Sequence, residues 1–358
     1  MRPVAHYIEE LADRLAASGH LSDPAWRAAL HAVPRHLFAP PVAWVDGGDG
    51  PDRLLDRAAD EAAWLAAVYS DASIVTQLDD GATALEAGGE NYTSSLSAPG
   101  IVVAFLELLG LMDHHRVLEI GTGTGWTGGL LAQRLGDQNV TSVEIDPMVA
   151  SIASENLKKA GHRPRLIVAD GADGWPSGAP YDRVHVTCGV RDVPYAWVRQ
   201  LRPGGRMVFP WMPGFAYGHR TWLTATADGR AIGRFAGNAG YMMLRSQRFG
   251  DYAPTVEEEG EQSETQVDPR AVAGTSYGCD VAIAGMVPGV ASVEEEAGDG
   301  RIRLHLRDPD GSWLSPTFSP AVMLTRCPRL ERGVCGRKWK PPICAGSPGA
   351  VQAVNVSE

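Results

Sequence analysis

A cluster of glycines near the middle of the chain is the feature of this sequence with the clearest chemical meaning. An apolar stretch at 117–120 runs directly into the sequence Gly-Thr-Gly-Thr-Gly at 121–125. Glycine adopts backbone conformations that other residues avoid and lets the main chain approach a ligand closely. A helix that begins after such a loop adds free N–H groups in its first turn. The pattern therefore predicts a cofactor site at this loop.

Three acidic residues lie at or near the carboxyl ends of consecutive predicted strands. Glu119 lies two residues before the first glycine, Glu144 ends the second strand, and Asp170 ends the third. The carboxyl ends of neighbouring parallel strands share one edge of a sheet, and ligands bind at that edge. There, Glu119 can face the cationic methionine part of S-adenosylmethionine, Glu144 can accept from both ribose hydroxyls, and Asp170 can accept from the adenine amino group. The acids therefore favour S-adenosylmethionine as the cofactor.

The same glycines are also compatible with a second cofactor, NAD. Gly123, Gly125 and Gly128 also satisfy the G-x-G-x-x-G pattern of dinucleotide-binding proteins, which is a weak signal on its own. Sites for NAD also use an acid in the position of Glu144, so this residue discriminates little. A nicotinamide-dependent oxidoreductase therefore remains an alternative. The predicted cofactor-binding residues are Glu119, Gly121, Thr122, Gly123, Thr124, Gly125, Trp126, Glu144, Ile145, Asp170, Gly171 and Thr187.

Strands and helices alternate between residues 101 and 215. Short apolar segments predict strands, and the stretches between them have helical spacing, as at 126–135 and 147–160. This alternation is typical of a mainly parallel sheet that is covered by helices on both faces. We therefore predict an α/β fold with a Rossmann-like methyltransferase sheet, a helical N-terminal part and a β-rich C-terminal extension. The strands of the sheet are expected at 116–120, 140–145, 165–169, 183–187 and 206–210.

Three other regions differ in composition from this alternating part. A polar, glycine-rich segment at 79–95 predicts a loop that is mobile or folded over a ligand. Beyond residue 215, the segments 221–226 and 231–235 flank Asp-Gly and predict a hairpin, and 301–307 alternates like a half-buried strand. We predict a catalytic domain at 1–215, a β-rich extension at 216–312 and a poorly ordered tail at 313–358. All cofactor contacts are expected before residue 190.

Composition narrows the classes of partner. The formal net charge of −11 argues against a broad nucleic-acid-binding face. Five cysteines, no signal-peptide pattern and no apolar run of about 18 residues predict a cytoplasmic protein that does not bind a membrane. The spacing of Cys327, Cys335 and Cys344 fits no zinc pattern, so no metal is predicted.

Short motifs along the chain resemble those of one enzyme family. They are Val-Pro-Arg-His-Leu-Phe at 33–38, Ser-Leu-Ser-Ala-Pro at 95–99, the glycine loop, Asp-Gly at 170–171 and Leu-Arg-Pro-Gly-Gly at 201–205. In this order they resemble the protein-L-isoaspartate O-methyltransferase family over about residues 5–215 of the chain. The Pro-Arg-His and Ser-Ala-Pro elements are not general methyltransferase features. The resemblance implies S-adenosylmethionine-dependent methylation of an isoaspartyl (or aspartyl) carboxylate in a protein or peptide, to give an ester that collapses to a succinimide.

Two departures from the family concern the substrate. The family usually has a Pro-Leu-Pro-Ile-Gly-type stretch before its serine motif, where this chain has the run at 69–77 and an insertion through residue 94. The chain is also longer than the family's repair enzymes. In both respects it resembles an actinobacterial branch, some members of which methylate an aspartate of a ribosomally made peptide to install aspartimide. Dedicated peptide tailoring is therefore an alternative to the repair of damaged proteins.

Ser97 is the predicted catalytic residue. An isoaspartyl carboxylate has a pKa of about 4 and is ionised near pH 7, so methyl transfer needs no general base. The site must instead orient the carboxylate and exclude water, and the Ser97 hydroxyl is suited to that role. A helix cap before Pro99 is the alternative role for this hydroxyl. The predicted peptide contacts are Thr76, Ser95, Leu96 and Cys188.

Overall fold

The computed structural model describes most of the chain. The described residues are 2–45, 52–89, 91–215, 217–248, 261–264, 268–273, 276–296, 301–308, 310, 312–318 and 324–327. Their helices are α1 (Val4–Ala17), α2 (Pro24–Ala32), α3 (Glu61–Val68), α4 (Pro99–Leu109), α5 (Trp126–Leu135), α6 (Pro147–Lys159), α7 (Tyr195–Gln200) and α8 (Tyr277–Met286). Their strands are β1 (Val42–Val45), β2 (Arg53–Asp56), β3 (Ile74–Leu78), β4 (Tyr92–Leu96), β5 (Val117–Ile120), β6 (Val140–Glu144), β7 (Arg165–Val168), β8 (Tyr181–Val186), β9 (Leu201–Trp211), β10 (His219–Ala225), β11 (Ala231–Asn238), β12 (Glu261–Glu264), β13 (Ala291–Glu296), β14 (Ile302–Arg307), β15 (Trp313–Phe318) and β16 (Leu324–Cys327).

A seven-stranded sheet forms the centre of the fold, in the order β11-β10-β9-β8-β5-β6-β7. Strands β5 to β9 pair with one another in parallel, and β10 and β11 add an antiparallel hairpin at one edge. All four residues of β5 are buried, as expected for a parallel strand covered on both faces. The predicted α/β sheet is confirmed, and the predicted strands lie at β5, β6, β7, β8 and β9.

The strand order places the ligand-binding edge. From β5 the chain continues outward to β6 and β7, and it then returns to the other side of β5 as β8. In such sheets a crevice forms outside the carboxyl ends of the strands where the order reverses. The glycine loop follows β5 directly, so the fold places it at this crevice.

The N-terminal part combines three helices with a small antiparallel sheet, in the order β2-β1-β3-β4. The expected loop at 79–95 is wrong at its C-terminal end, because residues 92–95 belong to β4 and pair with β3. The sequence of this strand, Tyr-Thr-Ser-Ser-Leu, is too polar to predict a strand. It still forms one, because the hydrogen bonds between strands join main-chain groups and do not require apolar side chains. This strand leads into the serine motif.

The boundary predicted at residue 215 does not coincide with the edge of the central sheet. The expected hairpin is present as β10 and β11, but β10 pairs with β9 over six residue pairs and so extends the main sheet to Asn238. A separate five-stranded sheet follows, in the order β12-β16-β15-β14-β13. Two of its strands occupy 313–318 and 324–327, so these parts of the expected tail are ordered strands. Residues 328–358 lie outside the described residues.

Candidate active site

The glycine loop takes a tight path from β5 to α5. Gly121, Gly123 and Gly125 have φ angles of 87°, 54° and 92°, which residues with a side chain rarely adopt. A Cβ on Gly121 would lie 2.6 Å from the hydroxyl oxygen of Thr187, so the loop passes β8 closely only with glycine there. The Gly123 N–H donates to Oε2 of Glu144 at 2.9 Å. This bond ties the loop to the end of β6.

A cavity of about 410 Å³ opens beside this loop. Its volume is in the range of small-ligand and cofactor sites. The cavity brings together the glycine loop, the end of β6 and the serine motif. The predicted residues on its wall are Ser95, Leu96, Ser97, Gly121, Thr122, Gly123, Thr124, Trp126, Glu144, Ile145, Gly171, Thr187 and Cys188. Four others, Thr76, Glu119, Gly125 and Asp170, are not part of the wall as far as the structure describes it.

Glu119 lies beneath the glycine loop and is fully buried. Its Oε2 accepts a hydrogen bond from the Ser142 hydroxyl at 2.5 Å, and a Cβ on Gly128 would lie 2.9 Å from the same oxygen. Burial raises the pKa of Glu119 to about 8, and the nearby negative charge of Glu144 adds to the shift. The carboxyl group is therefore protonated at neutral pH, and it lies against α5 and not on the cavity wall. Its contact with the methionine part of the cofactor stays a prediction.

Glu144 combines burial with two main-chain contacts. Oε2 accepts from the Gly123 N–H at 2.9 Å, and Oε1 accepts from the Asp146 N–H at 3.1 Å. Burial raises the pKa of Glu144, and these hydrogen bonds oppose the rise. A carboxylate can accept about four hydrogen bonds, so two positions remain for the hydroxyls of a sugar.

Two other predicted cofactor contacts already bind the main chain. The Asp170 side chain accepts from the Ala172 N–H at 2.9 Å and so begins a short turn. The Thr187 hydroxyl donates to the carbonyl oxygen of Ile120 at 3.0 Å and also to that of Gly121. Both side chains therefore fix the walls of the site, and their contacts with a cofactor stay predictions.

A buried arginine holds the serine motif in place. Arg35 of the Pro-Arg-His motif is 1% exposed, and its guanidinium donates to the carbonyl oxygens of Leu96 and Ser97 at 3.0 Å each. It also donates to the carbonyl oxygens of Val68 and Ala72 at 3.1 Å. Burial lowers the pKa of Arg35 to about 9, so the group remains charged at neutral pH. The two motifs therefore form one structural unit.

Ser97 does not cap the helix that follows it. Ala98 is the N-cap of α4, and no cap side chain bonds to the helix. The Gly100 N–H donates instead to the Asp71 carboxylate at 2.6 Å. The helix-cap interpretation of Ser97 is therefore wrong. The half-buried Ser97 side chain lies on the cavity wall, where it can meet a ligand.

A segment near residue 240 completes the cavity, and no sequence pattern pointed to it. Residues 240–245 and Arg248 line the wall. The Gly189 N–H donates to the Met242 carbonyl oxygen at 2.9 Å, and the Leu244 N–H donates to the Gly189 carbonyl oxygen at 2.8 Å. The segment is thereby fixed beside the end of β8. The cavity wall therefore extends past residue 190, and the expectation that the cofactor contacts lie before residue 190 stays a prediction.

Ion pairs connect this segment to two other parts of the site. Arg248 binds Asp80 through two hydrogen bonds of 2.7 and 2.9 Å. Arg245 lies 2.9 Å from Asp80 and 3.3 Å from Asp146. Asp146 follows β6 and caps α6. The pairs therefore join residues 240–248 to the loop after β3 and to the strand that carries Glu144.

The remaining predicted peptide contacts differ in their surroundings. Thr76 donates to the Ser94 hydroxyl at 3.2 Å and lines a second cavity of about 770 Å³. The two cavities share Gln77, Ser94, Gly123, Thr124 and Val149. Cys188 lines the first cavity, and burial raises the pKa of its thiol. The thiol is therefore neutral at pH 7 and unsuited to nucleophilic attack.

The part of the chain that the structure describes contains neither a helix that could cross a membrane nor a cluster of metal ligands. None of its helices combines the length and the apolar character needed to cross a membrane. No group of three or more His, Cys, Asp or Glu side chains there could hold a metal ion.

The sheet, the glycine loop and the acid at the end of β6 form a cofactor site of the Rossmann-like class, and the comparisons with known proteins identify it as that of an S-adenosylmethionine-dependent methyltransferase. A sequence model of the family described as protein-L-isoaspartate(D-aspartate) O-methyltransferase matches residues 80–217. A protein-L-isoaspartate O-methyltransferase of Methanopyrus kandleri is 33% identical over 260 residues, which cover 71% of this chain and 93% of the relative. The chain therefore belongs to the protein-L-isoaspartate O-methyltransferase family. The enzyme type is the S-adenosylmethionine-dependent methyltransferase that acts on isoaspartyl residues of proteins.

Other comparisons agree with this family and fold. Protein-L-isoaspartate O-methyltransferase 1 of Archaeoglobus fulgidus is 36% identical over 202 residues, which cover 56% of this chain and 77% of the relative. A solved protein-L-isoaspartate O-methyltransferase superposes with a TM-score of 0.54 at 23% identity, over 90% of this chain and 88% of the other. A Plasmodium falciparum structure in complex with S-adenosyl-L-homocysteine gives a TM-score of 0.50 at 15% identity, over 66% and 98%. Nothing in these matches favours the oxidoreductase alternative.

Proposed function

We propose that the cavity beside the glycine loop binds both S-adenosylmethionine and the isoaspartyl side chain, and that Ser97 orients the acceptor carboxylate. One observation carries the proposal: a single cavity of about 410 Å³ is lined by the glycine loop, by Glu144 and by Ser97. Cofactor elements and the serine motif thus face the same space. A cavity of this kind allows a donor and an acceptor to be held in line, which is the main requirement of methyl transfer.

The residues present fit S-adenosylmethionine. The glycines of the loop leave room where side chains would intrude, because Gly123 has only the Ser95 carbonyl oxygen within 4 Å of a Cβ position, at 3.5 Å. Glu144 offers two acceptor positions to the ribose hydroxyls, and Ile145 supplies an apolar wall beside it. When bound, the cofactor supplies a methyl group on a cationic sulfur. The chain itself has to place the acceptor and keep water away.

The chemistry of the acceptor explains why Ser97 is sufficient. An isoaspartyl carboxylate is already ionised near pH 7, so no side chain has to remove a proton from it. A hydrogen bond from Ser97 to one carboxylate oxygen fixes the group and leaves the other oxygen to form the ester. The hydroxyl is neutral, so it orients the carboxylate without neutralising it. Arg35 makes this arrangement rigid, because it holds the Ser97 carbonyl oxygen at 3.0 Å.

The substrate that we propose is an isoaspartyl residue in a flexible segment of a cytoplasmic protein or peptide. The contacts proposed for the flanking residues are Thr76, Ser95, Leu96 and Cys188, of which Thr76 lies in the second cavity. The ester formed there collapses to a succinimide after release. A cytoplasmic location is consistent with Cys188 and Cys279, which are both free thiols.

Methyl-ester formation on matched peptides tests the function directly. The protein is incubated with S-adenosylmethionine labelled in the methyl group and with two peptides that differ only in Asp or isoAsp. We expect base-labile methyl ester on the isoAsp peptide and little on the Asp peptide. Ester on neither peptide would refute the proposed acceptor, and preferential ester on Asp would support peptide tailoring instead.

The role of Ser97 is tested by Ser97→Ala. One hydrogen bond to a charged group is worth about 1.5–3 kcal/mol, so single-turnover methylation should fall roughly ten- to a hundredfold. Affinity for S-adenosylmethionine and thermal stability should change little, because the hydroxyl does not cap α4. Ser70→Ala is the matched control, since its hydroxyl bonds the Ala67 carbonyl oxygen and lines neither cavity. Wild-type turnover in Ser97→Ala would exclude the assignment.

A further inference from the structure

After β11 the chain returns to the active-site cavity and brings a tyrosine to its wall. Gly240 and Tyr241 both line the cavity, and the next residues are fixed to Gly189 by the hydrogen bonds of Met242 and Leu244 described above. A Cβ on Gly240 would meet no atom within 4 Å, so the backbone leaves open space on this side. Tyr241 is therefore held by the main chain at the edge of this open space.

The ring and the hydroxyl of Tyr241 have distinct neighbours. The ring packs edge-on against Phe105 of α4, with centroids 5.7 Å apart and an interplanar angle of 88°. Tyr241 and Ser97 both line this cavity, and the Ser97 side chain lies close enough to the phenol to affect its pKa. Burial raises the pKa of Tyr241, so the phenol keeps its proton at neutral pH and can donate a hydrogen bond. Packing against α4 sets the ring, and the hydroxyl then lies beside the proposed acceptor site.

We propose that Tyr241 is a second positioning residue for the acceptor carboxylate, acting beside Ser97 through its phenolic hydroxyl. The inference rests on the proposed function, since it assigns the carboxylate to the same cavity. In the free enzyme both side chains line the same cavity. When the substrate binds, both donate to one carboxylate oxygen, and the second oxygen remains available to form the ester. A pair of donors fixes the plane of the carboxylate, which a single hydroxyl cannot do.

The neutrality of a phenol suits this reaction. An ammonium or guanidinium group at the same position would stabilise the carboxylate before reaction and weaken it as a nucleophile. It would also lie near the cationic sulfur of the cofactor. Ser97 and Tyr241 are both uncharged donors, so they can orient the acceptor without either effect. The cationic side chains of this segment, Arg245 and Arg248, are paired with Asp80 and Asp146.

Tyr241→Phe tests the proposal in the full chain. We expect kcat/KM for an isoAsp peptide to fall roughly ten- to a hundredfold, the range for one hydrogen bond to a charged group. The affinity for S-adenosylhomocysteine should stay within twofold, and binding of the isoAsp peptide to the protein loaded with S-adenosylhomocysteine should weaken. Tyr195→Phe is the control, because its hydroxyl bonds the Gly229 carbonyl oxygen at 2.9 Å and lines neither cavity. It should leave all three values unchanged.

The same substitution in the Ser97→Ala background separates direct contact from indirect support. If both hydroxyls touch the carboxylate, Tyr241→Phe still lowers kcat/KM there by more than threefold. If its effect disappears in that background, Tyr241 only orients Ser97 and the direct contact is refuted. Wild-type kcat/KM in Tyr241→Phe would overturn the inference while leaving the proposed function intact. Failure of the proposed function would instead appear as absence of methyl ester with the wild-type protein.

Discussion

Replacing Glu144 should weaken the binding of S-adenosylmethionine strongly while leaving the fold intact. Its two oxygens already accept the Gly123 and Asp146 N–H groups, at 2.9 and 3.1 Å, and two acceptor positions remain for the ribose. Glu144→Ala removes both charge-assisted bonds to the ribose, a loss of about 3–6 kcal/mol at about 1.5–3 kcal/mol per bond. The dissociation constant should therefore rise roughly 150- to 25,000-fold.

Glu144→Ala should also lower the stability of the protein without bound ligand. The N–H groups of Gly123 and Asp146 lose their acceptor, which costs about 1–3 kcal/mol where water does not replace it. The melting temperature should therefore fall by a few degrees, and the loop should become less ordered. Calorimetric titration with S-adenosylhomocysteine, performed well below the melting temperature, separates the binding loss from the stability loss.

A pH series supplies an independent readout at Glu144. Burial raises the pKa of this carboxyl, and the ligand needs its charged form. Affinity of the wild-type protein should therefore decrease as the pH falls through that pKa, and Glu144→Gln should abolish this dependence. Glu155→Ala, an exposed acid on α6 that pairs with Lys158, is the control and should bind normally. Unchanged affinity in a folded Glu144→Ala protein would place the ribose elsewhere.

Two further predictions concern buried charged and titratable groups. Arg35→Lys should lower the free energy of unfolding by at least about 3 kcal/mol, because an ammonium cannot reach the same carbonyl oxygens. The control is Arg230→Lys at an exposed position, which should change the free energy of unfolding by less than about 0.5 kcal/mol. Denaturant unfolding of both proteins measures the difference. Burial lowers the pKa of His185 to about 3. Between about pH 6.5 and 3, the His185 imidazole is therefore protonated in the unfolded chain but not in the folded protein. As the pH is lowered through this range, the free energy of unfolding should decrease by up to about 1.4 kcal/mol per pH unit. His185→Leu should reduce this acid sensitivity whereas the exposed His114→Leu should not, and equal pH slopes in unfolding measurements would refute the assignment.

The parts of the site that the sequence predicts are those with a local signature. The glycine loop follows an apolar strand, and the predicted acid Glu144 stands at a strand end, so strand periodicity alone brings both to one edge of the sheet. The direction of a side chain at that edge is less predictable. Glu119 points toward α5, where a Cβ on Gly128 would lie only 2.9 Å from its Oε2, and this is visible only in the fold.

The segment at 240–248 was missed for a physical reason. It has neither strand nor helix periodicity, and its position depends on hydrogen bonds to Gly189, which is distant in the chain. Such a contact leaves no pattern of spacing in one sequence. Arg245 and Arg248 are ordinary surface residues by composition, and their pairing with Asp80 becomes visible only in the fold.

The cavity that we propose as the active site is therefore lined by residues on both sides of residue 215. The central sheet continues to Asn238, and the cavity wall continues to Arg248. The Methanopyrus kandleri relative supports this reading, because its match covers 71% of the chain, a larger share than residues 1–215 could supply. We therefore propose that the catalytic unit extends to about residue 248, and that the part of the chain available for a separate role begins after it. Under this proposal Tyr241 lies within the catalytic unit, at the acceptor site proposed above.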